Sequence, residues 1–216
     1  NSQPLQYQIT DNVISLYIDK SRSGLASDNR FILSDIALGA AIENISIAAQ
    51  ANQIDTDITL LPDETNEYLV AQIICNKSEQ TETSSLARLA SFIKERATDR
   101  RIRFFSKIPK DKLQALVQHS SQQNNVNIYQ GDDKKALIST IRKAESIRFE
   151  SKILHQELFS TVKFGEPEAR EGMPVSVLAI EWFAQPFFKL MSNWKWMNRL
   201  NKIGASKMLG HRSVGL

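Results

Sequence analysis

Two short polar stretches carry residue types suited to holding a ligand. Asn1-Ser2-Gln3-Pro4 puts two carboxamides within three residues. Each offers a donor N–H and an acceptor C=O. Such a pair suits the edge of a flat ring that alternates acceptors with an imide N–H, and a flavin has that edge. The same tetrapeptide also reads as an ordinary polar loop. Arg96, Thr98 and Arg100 stand at i, i+2 and i+4. Arginine presents a planar fork that matches a phosphate bidentately. On a fraying helix end, residues i and i+4 share a face, and Thr98 would turn in through loop geometry. The bland alternative is a solvated basic turn.

Other chemistries lack their residues. The eight glycines form no Gly-x-Gly-x-x-Gly, and no Gly-Lys-Ser/Thr or Gly-x-Ser-x-Gly occurs. His119, His155 and His211 are isolated, and Cys75 has no second cysteine to pair with for a metal. His155 and Glu157 read as a surface pair. Cys75, in the apolar run Tyr68–Cys75, reads as a buried strand residue rather than a nucleophile. No catalytic residue and no metal site is therefore assigned. A bound redox cofactor needs none, because it carries the chemistry while the protein binds and orients it.

The elements that would position these residues follow from periodicity. Leu5–Thr10 and Val13–Ile18 alternate apolar and polar around Asp11-Asn12, the pattern of a hairpin. Pro4 fixes φ where the first strand starts. Asp28 or Asn29 caps a helix over Phe31–Ala51, with Ile32, Ile36, Ala40, Ile45 and Ala49 as its stripe. Gly39-Ala40-Ala41 leaves one side of it nearly flat, for a ring or for close helix packing. Thr56–Leu61 and Tyr68–Cys75 are strands. A helix from Ser84 or Ser85, with Leu86, Leu89, Phe92 and Ile93 on one face, delivers the arginines. Beyond them the spacing predicts a helix from Pro109 to Ser121, a strand at Asn125–Gln130, one long helix to Val162 and a loop over Lys163–Pro174.

Asn-Ser-Gln-Pro before such a hairpin resembles the flavin-binding loop of the nitroreductase family. Ala37–Ile45 resembles its small-residue helix, and Arg96-Ala97-Thr98-Asp99-Arg100 its Arg-x-Ser/Thr-x-Arg phosphate motif. Arg170-Glu171-Gly172-Met173-Pro174, after Glu157, resembles a loop of the Acg-like subfamily of putative nitroreductases, with Glu171 where that subfamily has Asp. The likeness runs over roughly residues 1–175 and rests on the order of the motifs. It implies an α+β fold: a mixed sheet flanked by helices, with two pseudo-repeated halves in one chain. It implies FMN held by Asn1, Ser2, Gln3, Pro4, Arg96, Thr98 and Arg100, with NAD(P)H as reductant and a nitroaromatic or quinone-like substrate. A catalytically silent, flavin-sequestering or regulatory domain is the alternative.

Composition agrees with a globular protein: 216 residues, 42% apolar and 24% charged. A net charge of +3 is too small to argue for nucleic acid. A single cysteine fits a reducing, cytoplasmic setting. No stretch reads as a transmembrane helix. The reading divides the chain into a first half at 1–85, a second at 86–175 and a tail at 176–216. The tail holds all three tryptophans and, from Trp182, six Lys or Arg and no acid. It reads as a lid or packing segment, with contact to a membrane surface the less favoured alternative. Pro186 would break any helix from Glu181. The motif begins without the Pro-Ser and helix that precede it in the family. The chain is thus expected to be incomplete, partnered by the remainder of a longer protein or by a second copy as a homodimer.

Overall fold

Alternation of apolar residues is realised directly in the first hairpin. The computed structural model describes residues 4–79, 86–96, 98, 109–121, 129, 131–166 and 172–213. Strands β1 (Leu5–Thr10) and β2 (Val13–Ile18) pair antiparallel from Leu5↔Ile18 to Thr10↔Val13. The turn between them needs a residue that tolerates the left-handed region, and Asp11 takes it at φ 51°. Helix α1 (Ile32–Ala51) follows, then β3 (Ile54–Leu60) and β4 (Leu69–Lys77). The sheet order is β1-β2-β4-β3. All three pairings within this four-stranded sheet are antiparallel, so it is not itself the mixed sheet that the resemblance implies. The α+β class holds.

The chain divides into two compact units, Asn1–Thr98 with Ala169–Met173, and Asp99–Glu168 with Pro174–Leu216. The first runs past the expected 1–85 to take in helix α2 (Ala90–Glu95). Its core is Leu16, Ile18, Leu38, Ala71 and Ile73, with Ile14, Phe31, Ile42 and Ile45 packed against them. Directly opposed strand residues share a face. Ile14 and Leu16 therefore point with Ile73 and Ala71 towards the layer that α1 covers. The expected α1 stripe is wrong over its first half. Ile32 and Ile36 are exposed, Ile36 by 66%, and Leu38, Ile42 and Ile45 supply the packing. This helix is apolar nearly all round, so periodicity does not choose its buried face. For the same reason, and contrary to the expectation that no stretch would qualify, Asn29–Ala51 is long and apolar enough to cross a membrane by length and composition alone, at mean hydropathy 1.5.

The described part of the second unit is helical: α3 (Lys110–Ser121), α4 (Gly131–Glu150), α5 (Lys152–Thr161), α6 (Gln185–Met191), α7 (Trp194–Asn201) and α8 (Ala205–Ser213). A two-residue strand β5 (Val162–Lys163) ends α5, and β6 (Met173–Pro174) lies at the boundary of the units. The single long helix expected to Val162 is two. Ser151 breaks it at φ −86°, ψ 122°, and its hydroxyl accepts from the Leu154 amide at 3.5 Å. A serine between two helical stretches offers the new N-terminus a cap that continuation would forgo. Pro186 stands in the first turn of α6, where its missing N–H costs nothing. Helices α4 and α8 cross at Gly210, where a Cβ would come within 2.5 Å of the Arg142 carbonyl oxygen. The strand expected at Asn125–Gln130 lies, Tyr129 apart, outside the described residues, and Tyr129 is exposed and in no strand.

Candidate functional site

Pro4 is the described end of the first candidate loop. It is buried, and its carbonyl accepts from the Asp19 amide at 2.8 Å and the Ser23 hydroxyl at 3.4 Å. The point where the chain enters β1 is thereby fixed to the loop after β2. Asp19 organises that loop: its carboxylate accepts from the Ser21 hydroxyl at 2.6 Å and the Ser21 amide at 2.9 Å. Those two bonds, ahead of the Arg22 guanidinium, hold its pKa below the ordinary value. Lys20 Nζ sits 3.4 Å from the centroid of the Tyr68 ring. Asn1, Ser2 and Gln3 lie outside the described residues.

Further along the same loop, Asp28 ties it to α1. Its carboxylate accepts from the amides of Gly24 (3.2 Å), Leu33 (2.8 Å) and Ser34 (3.3 Å), and from the Ser34 hydroxyl. Leu33 and Ser34 are among the amides of a first helical turn that have no partner within the helix. Asp28 thus caps from outside, across Arg30 and Phe31 at φ 57° and 59°. Burial pushes its carboxyl up, but the four donated bonds outweigh burial and leave it below the ordinary value.

The second candidate motif does not share a helical face. α2 stops at Glu95, and Arg96 is extended at φ −61°, ψ 121°. Arg96 Nη1 donates to Thr98 Oγ1 at 3.3 Å, with both residues exposed. Arg100 lies outside the described residues, as do Arg170 and Glu171. Two of the three members of the motif are therefore brought together, by an extended turn rather than by helical spacing. Gly39 and Ala40 of the small-residue side are exposed, and nothing stands within 4 Å of where a Gly39 Cβ would be. Gly39 and Ala40 thus make no close helix packing among the described residues, while Ala41 is half-buried.

A comparison with family models and with curated proteins gives no match.

One titratable group is misplaced by sequence reasoning. His155 is wholly buried rather than part of a surface pair. Its Nε2 lies 2.8 Å from the Met191 carbonyl oxygen, which can only accept, so Nε2 carries the proton. Nδ1 is buried with no hydrogen-bond partner. The rings of Phe159 and Trp194 stand 4.7 and 5.2 Å away. Burial lowers the His155 pKa and the Met191 bond raises it only in part, so the ring is neutral near pH 7. Its polar neighbours in sequence, Gln156 and Glu157, gave no sign of this. The legible signal was spacing, since His155 and Phe159 are one turn apart. Cys75, expected to be buried, is half-buried on β4 and unpaired.

Proposed function

We propose that the chain is an FMN-binding oxidoreductase of the nitroreductase type, taking hydride from NAD(P)H and passing it to a nitroaromatic or quinone-like acceptor. The observation that supports this is the anchoring of Pro4. The stretch resembling the family's ring-edge loop enters a hairpin at a carbonyl held by two donors. The donor set also fits the cofactor's chemistry. A phosphate needs fixed N–H and O–H donors, and the exposed Arg96 guanidinium and Thr98 hydroxyl are neighbours. Asn1 and Gln3 would hold the ring edge, with Ser2 and Pro4 shaping the loop; Arg96, Thr98 and Arg100 would hold the phosphate. When bound, FMN supplies the hydride acceptor and donor, so the protein's own part is to bind, orient and exclude water. The residual partners of this reading are the small acceptor and a second copy of the chain.

An absorbance spectrum tests it. The protein, purified with FMN, is expected to show flavin bands that bleach with NADPH or NADH. A protein that stays colourless with added FMN at roughly tens of micromolar overturns the binding claim. Bound FMN that dithionite reduces but neither nicotinamide does would replace the reductase with the silent flavin-binding module.

A further inference from the structure

The tail is assembled inward on apolar residues and outward on a different chemistry. Met197 of α7 is wholly buried, Trp194 packs against His155, and Phe188 of α6 meets Phe159 at 5.0 Å. These contacts hold the helices without Trp196 and Ile203, which are exposed, Ile203 by 81%. Trp196 stands on α7, and Ile203 in the turn that directly follows it. Lys195, Arg199 and Lys202, at i, i+4 and i+7, form a stripe beside them, all exposed. The Arg199 guanidinium lies 5.3 Å from the Trp196 ring centroid. Trp182 is 82% exposed and stands edge-on to Phe183 at 5.9 Å. From Trp182 to Leu216 there is no Asp or Glu.

Exposed Trp and Ile beside a continuous row of Lys and Arg is the composition of a surface that lies in a lipid headgroup layer. Trp has an apolar body with a polar N–H that suits this boundary, and the cations meet lipid phosphates. A second copy is the poorer occupant. A self-complementary contact would set the row of Lys195, Arg199 and Lys202 against itself, with like charges juxtaposed. Nucleic acid would match the cations but gives Ile203 nothing apolar to bury against. We infer that the outer face of α7, with the turn carrying Ile203, docks on an anionic phospholipid bilayer. Lys195, Arg199 and Lys202 contact the headgroups, and Trp196 and Ile203 enter the headgroup–acyl boundary. Trp182 and Phe183 are the next exposed pair of the same chemistry.

The test is cosedimentation of the full chain with phosphatidylcholine vesicles prepared with and without phosphatidylserine. The expected result is binding only with phosphatidylserine, weakened as salt screens the charges. The tryptophan emission should shift to the blue and be quenched by brominated lipid. Each cation near an anionic surface multiplies partitioning by roughly fivefold. Lys195→Glu with Arg199→Glu and Lys202→Glu should therefore cut it at least roughly a hundredfold. Trp196→Ala with Ile203→Ala should cut it roughly tenfold. Circular dichroism checks that each variant folds, and quenching of the unaltered protein needs no variant. Equal binding to phosphatidylcholine alone, or no binding to either vesicle, overturns the inference. So does sedimentation velocity showing a dimer that shields tryptophan from aqueous quencher, or tighter binding to duplex DNA than to vesicles at the same salt.

Discussion

Replacing Asp28 with alanine removes four hydrogen bonds and leaves two first-turn amides of α1 without a partner. Loss of a cap together with buried unsatisfied donors should cost about 2–3 kcal/mol. Urea denaturation would measure it, and a loss under 1 kcal/mol would show that water replaces the carboxylate. Because the folded pKa of Asp28 is depressed, its contribution is complete above the unfolded carboxylate value of about 3.9 and is lost as pH falls through the folded value. His155 acts in a different window. Its folded pKa is also depressed, so the unfolded state binds the proton first. Stability of the second unit is therefore full above about pH 6.5 and declines as pH drops below it. His155→Gln keeps a donor for the Met191 carbonyl but cannot titrate. Its tryptophan-monitored melting temperature should stay flat between pH 7 and 5 while that of the unaltered chain falls. Parallel curves would exclude His155 as the source.

Two glycines separate space from backbone at the element scale. Gly39 lies inside α1 with open space where its Cβ would be, so Gly39→Ala should add about 1 kcal/mol through helix propensity alone. Gly210→Ala carries the same gain, yet its Cβ would meet the Arg142 carbonyl of α4, a backbone atom that cannot swing aside. Overpacking of about 1–3 kcal/mol should outweigh propensity and leave a net loss. Thermal melts of the pair should move in opposite directions. What was legible in the sequence follows the same division. The ends of β1 and β2 were readable to the residue, because period two and the Asp11-Asn12 turn specify register together. The break at Ser151 was invisible, since no proline or glycine stands near it to mark a helix end. The buried face of α1 was not readable, since Ile32 and Ile36 are as apolar as Leu38 and Ile42. The candidate site was legible only in part. Pro4 was placed at the strand start from its fixed φ, and Asp28 was named as a cap. The end of α2 at Glu95 had no proline or glycine to mark it, so Arg96 was expected on a helix it does not join.

At the scale of the whole molecule, the two units offer separate reporters. Trp182, Trp194 and Trp196 all belong to the second unit, so tryptophan emission follows that unit alone. The core strands β2 and β4 belong to the first, and their amide exchange follows that one. Each unit has its own buried residues, Leu16 and Ile73 in the first and Met191 and Met197 in the second. Units with separate cores need not unfold in one transition. The expectation is that urea curves from tryptophan emission and from hydrogen exchange in β2 and β4 do not coincide; coincident curves would show a single cooperative body. The proposed cofactor then gives a directional test. Of the proposed contacts among the described residues, Pro4, Arg96 and Thr98 all lie in the first unit. A ligand that binds the folded state at about 100 times its Kd stabilises that state by about 2.7 kcal/mol. FMN should therefore move the exchange-detected transition of the first unit by about that amount and the tryptophan transition by less. A shift confined to the tryptophan signal would place the flavin on the helical unit and remove Arg96 and Thr98 from the binding set.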